Sequence, residues 1–200
     1  MREIPAVEGL SWSKIRAVAG TFASSAPVDE VARLAAAWLG DPDPRRRQMA
    51  VYLLGFTSST CPTNLTLLRE RVVPDSNWEV QEALAQAFDA YCAATGYEAA
   101  LPMIDAWLAD GHPHARRAVT EGLRPWTSKA RAYFAAHPQE AIRRLAALRA
   151  DPSSYVRHSV GNALRDIRRN FPDLVDAETS GWNLANADEA FTYQRVLKAH

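Results

Sequence analysis

The chain is short of the residues that mark several classes of protein. It has only 9 Gly among 200 residues, and its 23 Lys and Arg balance its 23 Asp and Glu, which excludes collagen-like, linker-like and acidic-tail sequences. No apolar run approaches the ~18–20 residues of a membrane span, and the N-terminus lacks the charged-then-apolar pattern of a signal peptide. The sequence therefore predicts a soluble, cytoplasmic protein that does not contact a membrane.

Residues with specialised chemistry are also scarce. The two cysteines, Cys61 and Cys92, lack metal-type spacing and lie among apolar residues, where Cys behaves as a small hydrophobe. His112 and His114 flank Pro113 without a third ligand at a suitable spacing for zinc. Gly-rich phosphate loops, Ser-His-Asp arrangements and reactive-cysteine signatures are missing as well. We expect neither a cofactor nor a metal site.

What the sequence does contain is helical periodicity. Apolar residues make up 48% of the chain, and they return at three- and four-residue steps in segment after segment, whereas strand signals are nearly absent. Pro, Gly and Asp break this pattern into eleven segments. The predicted fold class is all-α, with helices over 11–22, 28–39, 44–57, 63–72, 78–94, 97–109, 113–124, 128–135, 138–149, 153–169 and 186–198.

A helix, a short turn opening with Asp and a second helix recur along the chain. We call the Asp residues that open these turns the turn aspartates; they are Asp41, Asp75, Asp110 and Asp151. Helix pairs at this period indicate a HEAT-like helical-repeat solenoid, in which antiparallel pairs stack around a concave groove. We therefore predict one domain, with an N-terminal cap over 1–26, repeats over 27–171 and a C-terminal cap over 172–200.

The angular position of each residue on the second helix separates a core face from a groove face. At 100° per residue, positions eight, nine, twelve and thirteen after each turn aspartate share one side of the helix. These predicted core positions are Met49, Ala50, Leu53, Leu54, Ala83, Leu84, Ala87, Phe88, Ala118, Val119, Gly122, Leu123, Ser159, Val160, Ala163 and Leu164. The opposite side carries the groove residues Pro44, Gln48, Tyr52, Gly55, Trp78, Glu82, Gln86, Asp89, Pro113, Arg117, Glu121, Arg124, Ser154, His158, Asn162 and Arg165.

The groove face combines an aromatic ring, a carboxylate and a basic strip. Trp78 stands one helical turn before Glu82, so the two side chains project together and could hold a cation. Residues 111–170 contain 12 Lys and Arg against 4 Asp and Glu, which suits a polyanion. The implied ligand is a polyanion with a local positive charge, and DNA carrying a cationic alkylated purine fits that description.

Simpler interpretations remain open for each part of this face. Trp78 could pack on a neighbouring helix. The acids Glu79 and Glu82 could favour a helix N-terminus, with Ser76 and Glu79 forming a capping box. Arg117 and Glu121 could form an ordinary surface salt bridge.

Three segments resemble the HEAT-repeat alkylpurine DNA glycosylases of the AlkC/AlkD type, which are DNA alkylation repair enzymes. They are SNWEVQEALA at 76–85, ARRAVTEGLRPW at 115–126 and DPSSYVRHSVGNALRDIRRNFPDLV at 151–175. The glutamate in the groove and the Asn-x-x-x-Asp of the last segment make the likeness closer to the AlkC branch. Where the AlkD branch has a second groove tryptophan, this chain has Asn162.

The resemblance implies a monofunctional glycosylase that excises positively charged N3- or N7-alkylated purines from duplex DNA without a cofactor. In that reading Trp78 contacts the lesion nucleotide, Glu82 stabilises the developing oxocarbenium sugar, and Arg117 holds a backbone phosphate. We expect the protein to act as a monomer. Further DNA contacts are expected from Tyr52, Glu121, Arg124, Arg157, His158, Asn162, Arg165 and Asp166.

A second function stays open at this point. Fold alone does not fix function, and the same surface would suit a non-catalytic HEAT-repeat module that binds unusual DNA structures or a protein partner. In such a module Trp78 would be a docking aromatic, and the charges would serve complementarity.

Overall fold

A computed structural model of the chain describes residues 6–122, 124 and 131–198. Every regular element in these ranges is helical. The helices are α1 (Trp12–Ser25), α2 (Val28–Trp38), α3 (Pro44–Thr57), α4 (Thr63–Leu67, continuing as a π-helical turn over Leu68–Val72), α5 (Trp78–Thr95), α6 (Tyr97–Leu108), α7 (Pro113–Gly122), α8 (Arg131–Ala136), α9 (Pro138–Ala146), α10 (Ser154–Arg168), α11 (Pro172–Thr179) and α12 (Ala187–Leu197).

The predicted helices agree with these elements to within a few residues over most of the described chain. One helix, α11, was not predicted; Pro172 starts it at a position that suits a first turn, and it is only 8 residues long. The first three residues of the helix predicted over 128–135, and the predicted core residue Leu123, lie outside the described residues.

The chain divides after Thr95 into two compact units. In the N-terminal unit, α3 is the central helix and packs against α1, α2 and α5. In the C-terminal unit, α10 has the same place and packs against α7, α9, α11 and α12. Each unit is built around the second helix of a predicted helix pair, and the predicted core positions face inward: Met49, Leu53, Leu84, Phe88, Val160 and Leu164 are all buried.

The four turn aspartates have the same structural role, because each one closes its own turn. In all four turns the carboxylate accepts a hydrogen bond of 2.8 Å from the backbone N–H two residues later. This side-chain turn offers the backbone a partner just before a helix begins. The residue that donates that N–H caps the following helix in three of the four turns, through side-chain atoms of Asp43, Asn77 and His112.

A second contact recurs six residues after each turn aspartate. Three of these residues are arginines that donate to the carbonyl oxygen of their own turn aspartate and also reach an aspartate further along the chain. The resulting ion pairs are Arg47 with Asp75, Arg116 with Asp151, and Arg157 with Asp188. In the Asp75 repeat the residue is Gln81, whose amide donates to the Asp75 carbonyl oxygen at 2.7 Å. These hydrogen bonds connect each second helix to the turn that precedes it. The three arginines also connect it, through their ion pairs, to a later segment of the chain.

Candidate functional site

A pocket of about 180 Å³ opens in the N-terminal unit. Its lining residues, which define what we call the Trp pocket, are Trp12, Tyr52, Trp78, Glu79, Glu82 and Gln86. It therefore combines two indoles, a phenol and two carboxylates. Three of the residues expected at a DNA site from the sequence, Tyr52, Trp78 and Glu82, come together here.

Local structure at the start of α5 places Trp78 and Glu82 on the same side. The Asn77 side chain accepts hydrogen bonds from the backbone N–H groups of Glu79 and Val80, at 2.9 and 3.2 Å, so α5 begins at Trp78. Asn77 supplies this cap in place of the Ser76–Glu79 capping box considered from the sequence. With the helix start fixed, Trp78 and Glu82 lie one turn apart, and the Trp78 side chain remains 65% exposed.

The floor of the Trp pocket is held by hydrogen bonds between helices α3 and α5. Tyr52 was expected to contact DNA, but it is buried, with 1% of its surface exposed, and its hydroxyl lies 3.4 Å from the Gln86 side-chain oxygen. Burial raises the pKa of the Tyr52 phenol to about 12, with Arg16 acting to lower it and the Glu82 carboxylate to raise it. Tyr52 thus stays protonated at neutral pH and lies close enough to Glu82 to sense its charge.

The Glu79 carboxylate of the pocket is hydrogen-bonded to helix α3. The Glu79 side chain accepts a hydrogen bond of 3.2 Å from the Gln48 side-chain amide on α3, and Gln48 itself is buried. Gln48 and Tyr52 both belong to the predicted groove face of their helix, yet both are covered by α5. The angular position of a residue on α3 tells which side of the helix it occupies, but it does not tell which helix packs over that side.

Sequence reasoning missed Trp12, which forms part of the wall of the Trp pocket. Trp12 is the first residue of α1, and its side chain is 53% exposed. A signal for it exists in hindsight, because Trp78 is likewise the first residue of its helix. The sequence analysis predicted an N-terminal cap over residues 1–26 and did not include Trp12 among the site residues.

The C-terminal unit holds Arg117 beneath an aromatic ring. The Arg117 guanidinium carbon lies 4.4 Å from the centre of the Tyr155 ring, and its Nη2 lies 3.6 Å from Oε1 of Glu121. His114 contacts the outer edge of the same Tyr155 ring, 5.8 Å between centres. Arg117 is buried, whereas Tyr155 is partly exposed, so the tyrosine is the more accessible of the two.

Glu121 continues into a polar network between α7 and α10. It accepts hydrogen bonds from Ser159 Oγ at 2.8 Å and from Arg124 Nη1 at 2.9 Å. Arg124 also donates to the Asp166 carboxylate at 2.9 and 3.1 Å. Asp166 is buried. Four of the expected site residues, Arg117, Glu121, Arg124 and Asp166, are thus brought together, and they alternate in charge.

The remaining expected residues lie along α10. Arg157 is 9% exposed, and its guanidinium pairs with Asp188 of α12 at 2.9 Å. The His158 ring contacts Phe191, with 4.9 Å between centres. Burial lowers the pKa of His158, as do the nearby cations Arg195, Arg157 and Lys198. Asn162 and Arg165 are half-buried on the same helix.

Two kinds of feature are missing from the described ranges. No group of three or more His, Cys, Asp or Glu side chains in that part of the chain is placed to hold a metal ion. None of the described helices has both the length and the apolar character needed to cross a membrane.

Comparison with known families decides what kind of protein this is. Residues 1–177 match the family described as DNA alkylation repair enzyme. The chain belongs to the DNA alkylation repair enzyme family. This confirms the resemblance that the three sequence segments carried, and with it the all-helical repeat fold.

Solved structures give the same family assignment. The X-ray structure of AlkD2 from Streptococcus mutans is 42% identical over 94% of this chain and 90% of its own, with a TM-score of 0.89. A second Streptococcus mutans structure, smu.31, is 42% identical over 93% of this chain and 91% of its own, with a TM-score of 0.87. A comparison with curated proteins gives no significant match.

The AlkC branch is represented by a more distant structure. The alkylpurine DNA glycosylase AlkC of Pseudomonas fluorescens, bound to DNA containing an abasic site analog, is 24% identical, covers 98% of this chain and 64% of its own, and has a TM-score of 0.55. At this identity the likeness shows the fold alone. Both identity and TM-score are higher for AlkD2, although the sequence segments had suggested a position nearer AlkC.

Proposed function

We propose that this member of the DNA alkylation repair enzyme family is a monofunctional DNA glycosylase that excises cationic N3- or N7-alkylated purines from duplex DNA and acts as a monomer. The observation that carries the proposal is the placement of Trp78 and Glu82 on one pocket. Family membership supports it.

The two side chains suit a positively charged base and a positively charged transition state. An indole face attracts a cation through its quadrupole, by ~0.5–2 kcal/mol. The Glu82 carboxylate adds direct attraction, which strengthens as positive charge develops on the deoxyribose ring. Because the alkylated base is already a good leaving group, the proposed enzyme needs electrostatic stabilisation more than a strong acid.

The proposed reaction is a hydrolysis at C1′ of the lesion nucleotide. The bond from C1′ to the purine nitrogen breaks, and its electron pair stays with the base, whose positive charge is thereby neutralised. Water adds to the oxocarbenium carbon and gives up one proton, leaving an abasic site and a neutral alkylpurine. In this proposal Glu82 faces the developing cation and accepts the hydrogen bond of the attacking water.

We further propose that the C-terminal unit holds the DNA backbone. Arg117 is the residue assigned to a phosphate there, and Tyr155 lies over its guanidinium. Arg124, Arg157, His158, Asn162 and Arg165 are proposed to contact the backbone from the same unit, with Glu121 and Asp166 orienting Arg124 through the contacts described above.

Base release from methylated duplex DNA tests the glycosylase directly. The purified protein is incubated with DNA containing N7-methylguanine and N3-methyladenine at low and moderate salt, and the released bases are quantified. Glu82→Gln should lower release by about 10²- to 10³-fold, the size expected for losing one preorganised electrostatic contact. Glu79→Gln is the matched control, because that carboxylate lines the same pocket but has no proposed role at C1′, and it should lower release by less than tenfold.

A second candidate function rests on a different observation. Many arginines of the basic strip form ion pairs with carboxylates of the chain, including Arg116, Arg124, Arg144, Arg157 and Arg168, which leaves less positive charge for phosphates. This favours a non-catalytic module that binds DNA or a protein partner. Salt-sensitive DNA binding with no base release from the wild type would establish that module and reject the glycosylase.

A further inference from the structure

Helix α12 begins in the same way as helix α5. The Asn186 side chain accepts hydrogen bonds of 2.9 and 3.2 Å from the backbone N–H groups two and three residues later. Asn77 makes the same two hydrogen bonds, at the same two distances, at the start of α5. Phe191 lies five residues after its cap, as Glu82 does in α5, and Arg195 follows Phe191 by one turn. α12 therefore has the register of the helices that carry the predicted groove residues, although the C-terminal segment was predicted to be a cap.

A glycine on α10 allows α12 to lie close against it. A Cβ at Gly161 would meet the Arg195 Cβ and would lie 3.0 Å from the Thr192 carbonyl oxygen, so the two helices approach where one side chain is missing. Arg195 leaves α12 at this contact, and its Nη2 lies 3.5 Å from Nε2 of His158. His158 is one of the predicted groove residues. The packing of the two helices thus places Arg195 beside the groove face of α10.

Positive charges meet at the His158 ring. Arg195 acts on it from α12, Lys198 from the residue that follows α12, and Arg157 from α10 itself. Burial lowers the pKa of His158, and each of these three cations lowers it further. The Phe191 ring centre lies 4.9 Å from that of His158 and 5.5 Å from the Arg195 guanidinium carbon. We call His158, Phe191, Arg195 and Lys198 the α12 cluster.

The α12 cluster has little negative charge to balance it. Asp188 pairs with Arg157 at 2.9 Å, and within the described residues neither Arg195 nor Lys198 forms an ion pair. Residues 171–200 contain five Asp and Glu but only these two basic residues, and both of them act on one ring. Because cations held together repel one another, an anion bound among them would relieve that repulsion.

The other helices packed on α10 carry charges that are paired with one another or with α10. Such pairs are Arg117 with Glu121 on α7, Arg144 with Glu140 on α9, and Asp176 of α11 with Arg168 of α10. The charges that act on the His158 ring come instead from α10, from α12 and from the residue after α12. The electrostatic potential at the ring is thus set by the α12 cluster and Arg157.

A phosphate group is the anion that suits this set of side chains. A guanidinium presents its N–H donors to two phosphate oxygens, an ammonium adds a point charge, and an imidazole supplies one further N–H. A carboxylate also binds guanidinium groups. The register of α12 favours phosphate, because the groove face is the surface proposed to hold DNA.

We propose that the α12 cluster is a phosphate-binding site in which Arg195 is the main ligand, Lys198 adds charge and His158 donates a ring N–H. That the phosphate belongs to a DNA strand rests on the proposed function; the class of ligand rests on the cluster itself. The site shares no residue with the Trp pocket. It makes α12 a helix that binds the DNA backbone instead of one that only covers the end of the repeats.

Binding of undamaged duplex DNA tests the site without base excision. A fluorescein-labelled duplex is titrated by anisotropy at several salt concentrations. Arg195→Gln keeps the Cβ and Cγ that lie against Gly161 and removes the charge. It should make the slope of log affinity against log salt shallower by about 0.9, which is about an 8-fold loss of affinity near 0.1 M salt. Arg195→Lys keeps the charge and should retain the wild-type slope.

Arg143→Gln is the matched control for loss of one positive charge. Arg143 lies on α9 in the same unit, its side chain is exposed, and it pairs with Glu140 at 3.2 Å. It has no proposed contact with DNA, so its removal should leave the salt slope as in the wild type. Circular dichroism checks that the variants keep the helical signal.

The His158 ring reports on the site without DNA. Its proton NMR signal, assigned by comparison with His158→Asn, is followed against pH in chloride, inorganic phosphate or glutamate at equal ionic strength. A phosphate bound beside the ring should raise the pKa of His158, because an anion favours the charged imidazole. Glutamate, the probe for a carboxylate ligand, should raise it less, and Arg195→Gln should reduce the response to phosphate.

The outcomes separate this site from the glycosylase proposal. The site is overturned if Arg195→Gln changes neither the salt slope nor the phosphate response of His158, if Arg143→Gln changes the slope equally, or if glutamate acts as strongly as phosphate. Loss of the phosphate response alone, with an unchanged slope, would assign the site to free phosphate and reject a DNA strand. If Arg195→Gln has the shallower slope but the wild type releases no base, the glycosylase fails and the site stands. If base release depends on Glu82 while both readouts of Arg195→Gln match the wild type, only the site fails.

Discussion

The Asp151 carboxylate accepts two hydrogen bonds from the Arg116 guanidinium, at 2.6 and 2.8 Å, in the interior of the C-terminal unit. The same carboxylate accepts the backbone N–H of Ser153 at 2.8 Å. One side chain thus closes the turn before α10 and joins that turn to α7. Because both partners are buried, the pair is shielded from the solvent screening that weakens surface ion pairs.

Removing the charge of Asp151 should destabilise the fold strongly. Asp151→Asn keeps an oxygen for the turn but leaves the Arg116 guanidinium buried without its counter-charge, which costs about 3–5 kcal/mol in comparable cases. Urea unfolding measures the change. Asp29→Asn is the control, because the Asp29–Arg33 pair is exposed and should contribute little. Equal destabilisation by the two substitutions would show that the buried pair is unimportant.

Helix packing in the N-terminal unit should depend on the absence of a side chain at Gly55. A Cβ there would lie 2.5 Å from the Ala87 Cβ and 2.6 Å from its Cα, so α3 and α5 would have to separate. Gly55→Ala should destabilise by about 1–3 kcal/mol, although alanine favours helices. Gly20→Ala is the control on α1, where a Cβ meets Phe56 at an ordinary 3.7 Å. It should be neutral or stabilising, and a matching gain at Gly55 would contradict the close packing.

Acid should weaken the start of α7 through His112. Its Nδ1 accepts the backbone N–H of His114 at 3.2 Å, so protonation removes the cap. Burial lowers the pKa of His112 below its ordinary 6.5, as do His114 and Arg116, while Asp110 acts in the opposite direction. The unfolded state therefore binds more protons than the folded state just below pH 6.5, and the free energy of unfolding falls as the pH drops through that range.

His112→Asn tests this explanation because asparagine caps a helix without titrating. Unfolding measured between pH 5 and 8 should show a smaller loss of stability on acidification than in the wild type. Some loss should persist, since the pKa of His158 is lowered as well. An unchanged pH profile would mean that the His112 cap does not titrate in the folded protein.

Affinity for duplex DNA should depend less steeply on salt than the number of basic residues in 111–170 suggests. Each neutralised phosphate contributes about −0.9 to the slope of log affinity against log salt, so the 12 basic residues of 111–170 would give a slope near −11 if each one met a phosphate. Because the proposal gives only four of these residues to the backbone, Arg117, Arg124, Arg157 and Arg165, while Arg116 and Arg144 stay paired with carboxylates, we expect a slope of about −4 from this stretch. A fluorescence anisotropy titration in increasing salt measures it, and a slope near −8 would show that those pairs open on DNA.

The sequence predicted the helices and the repeat because both depend on local rules. The turn aspartates mark the same backbone hydrogen bond in every turn, and the spacing of Trp78 and Glu82 places them on one side of a helix whatever surrounds it. The prediction was weaker where distant segments matter. Tyr52 was assigned to an open groove and is buried under α5, since the angle of a residue on its helix does not tell which helix will cover it.

Arg157 and Trp12 also depend on contacts between distant segments. Arg157 was predicted as a DNA contact and is paired within the fold, whereas Trp12 was not predicted and lines the pocket. Arg157 has the charge expected of a DNA contact, but Asp188 of α12 pairs with it, and the C-terminal residues had been interpreted only as an acidic cap. Trp12 carries no charge pattern and no family-like neighbours, so nothing local connected it with Trp78. Assigning Arg157 requires knowing that α10 packs against α12, and assigning Trp12 requires knowing that α1 and α5 line one pocket. The local sequence around each residue does not contain this information.

Gln81 departs from the arginines found at the same repeat position in α3, α7 and α10. Its side chain is neutral, and it lies next to Glu82 on the helix that carries the Trp pocket. An arginine there would place a fixed positive charge beside the carboxylate and raise the local electrostatic potential. With an amide in its place, residue 81 adds no positive charge beside the Glu82 carboxylate. Among the four turn-aspartate repeats, the one without the charged link is thus the one for which we propose a cationic ligand.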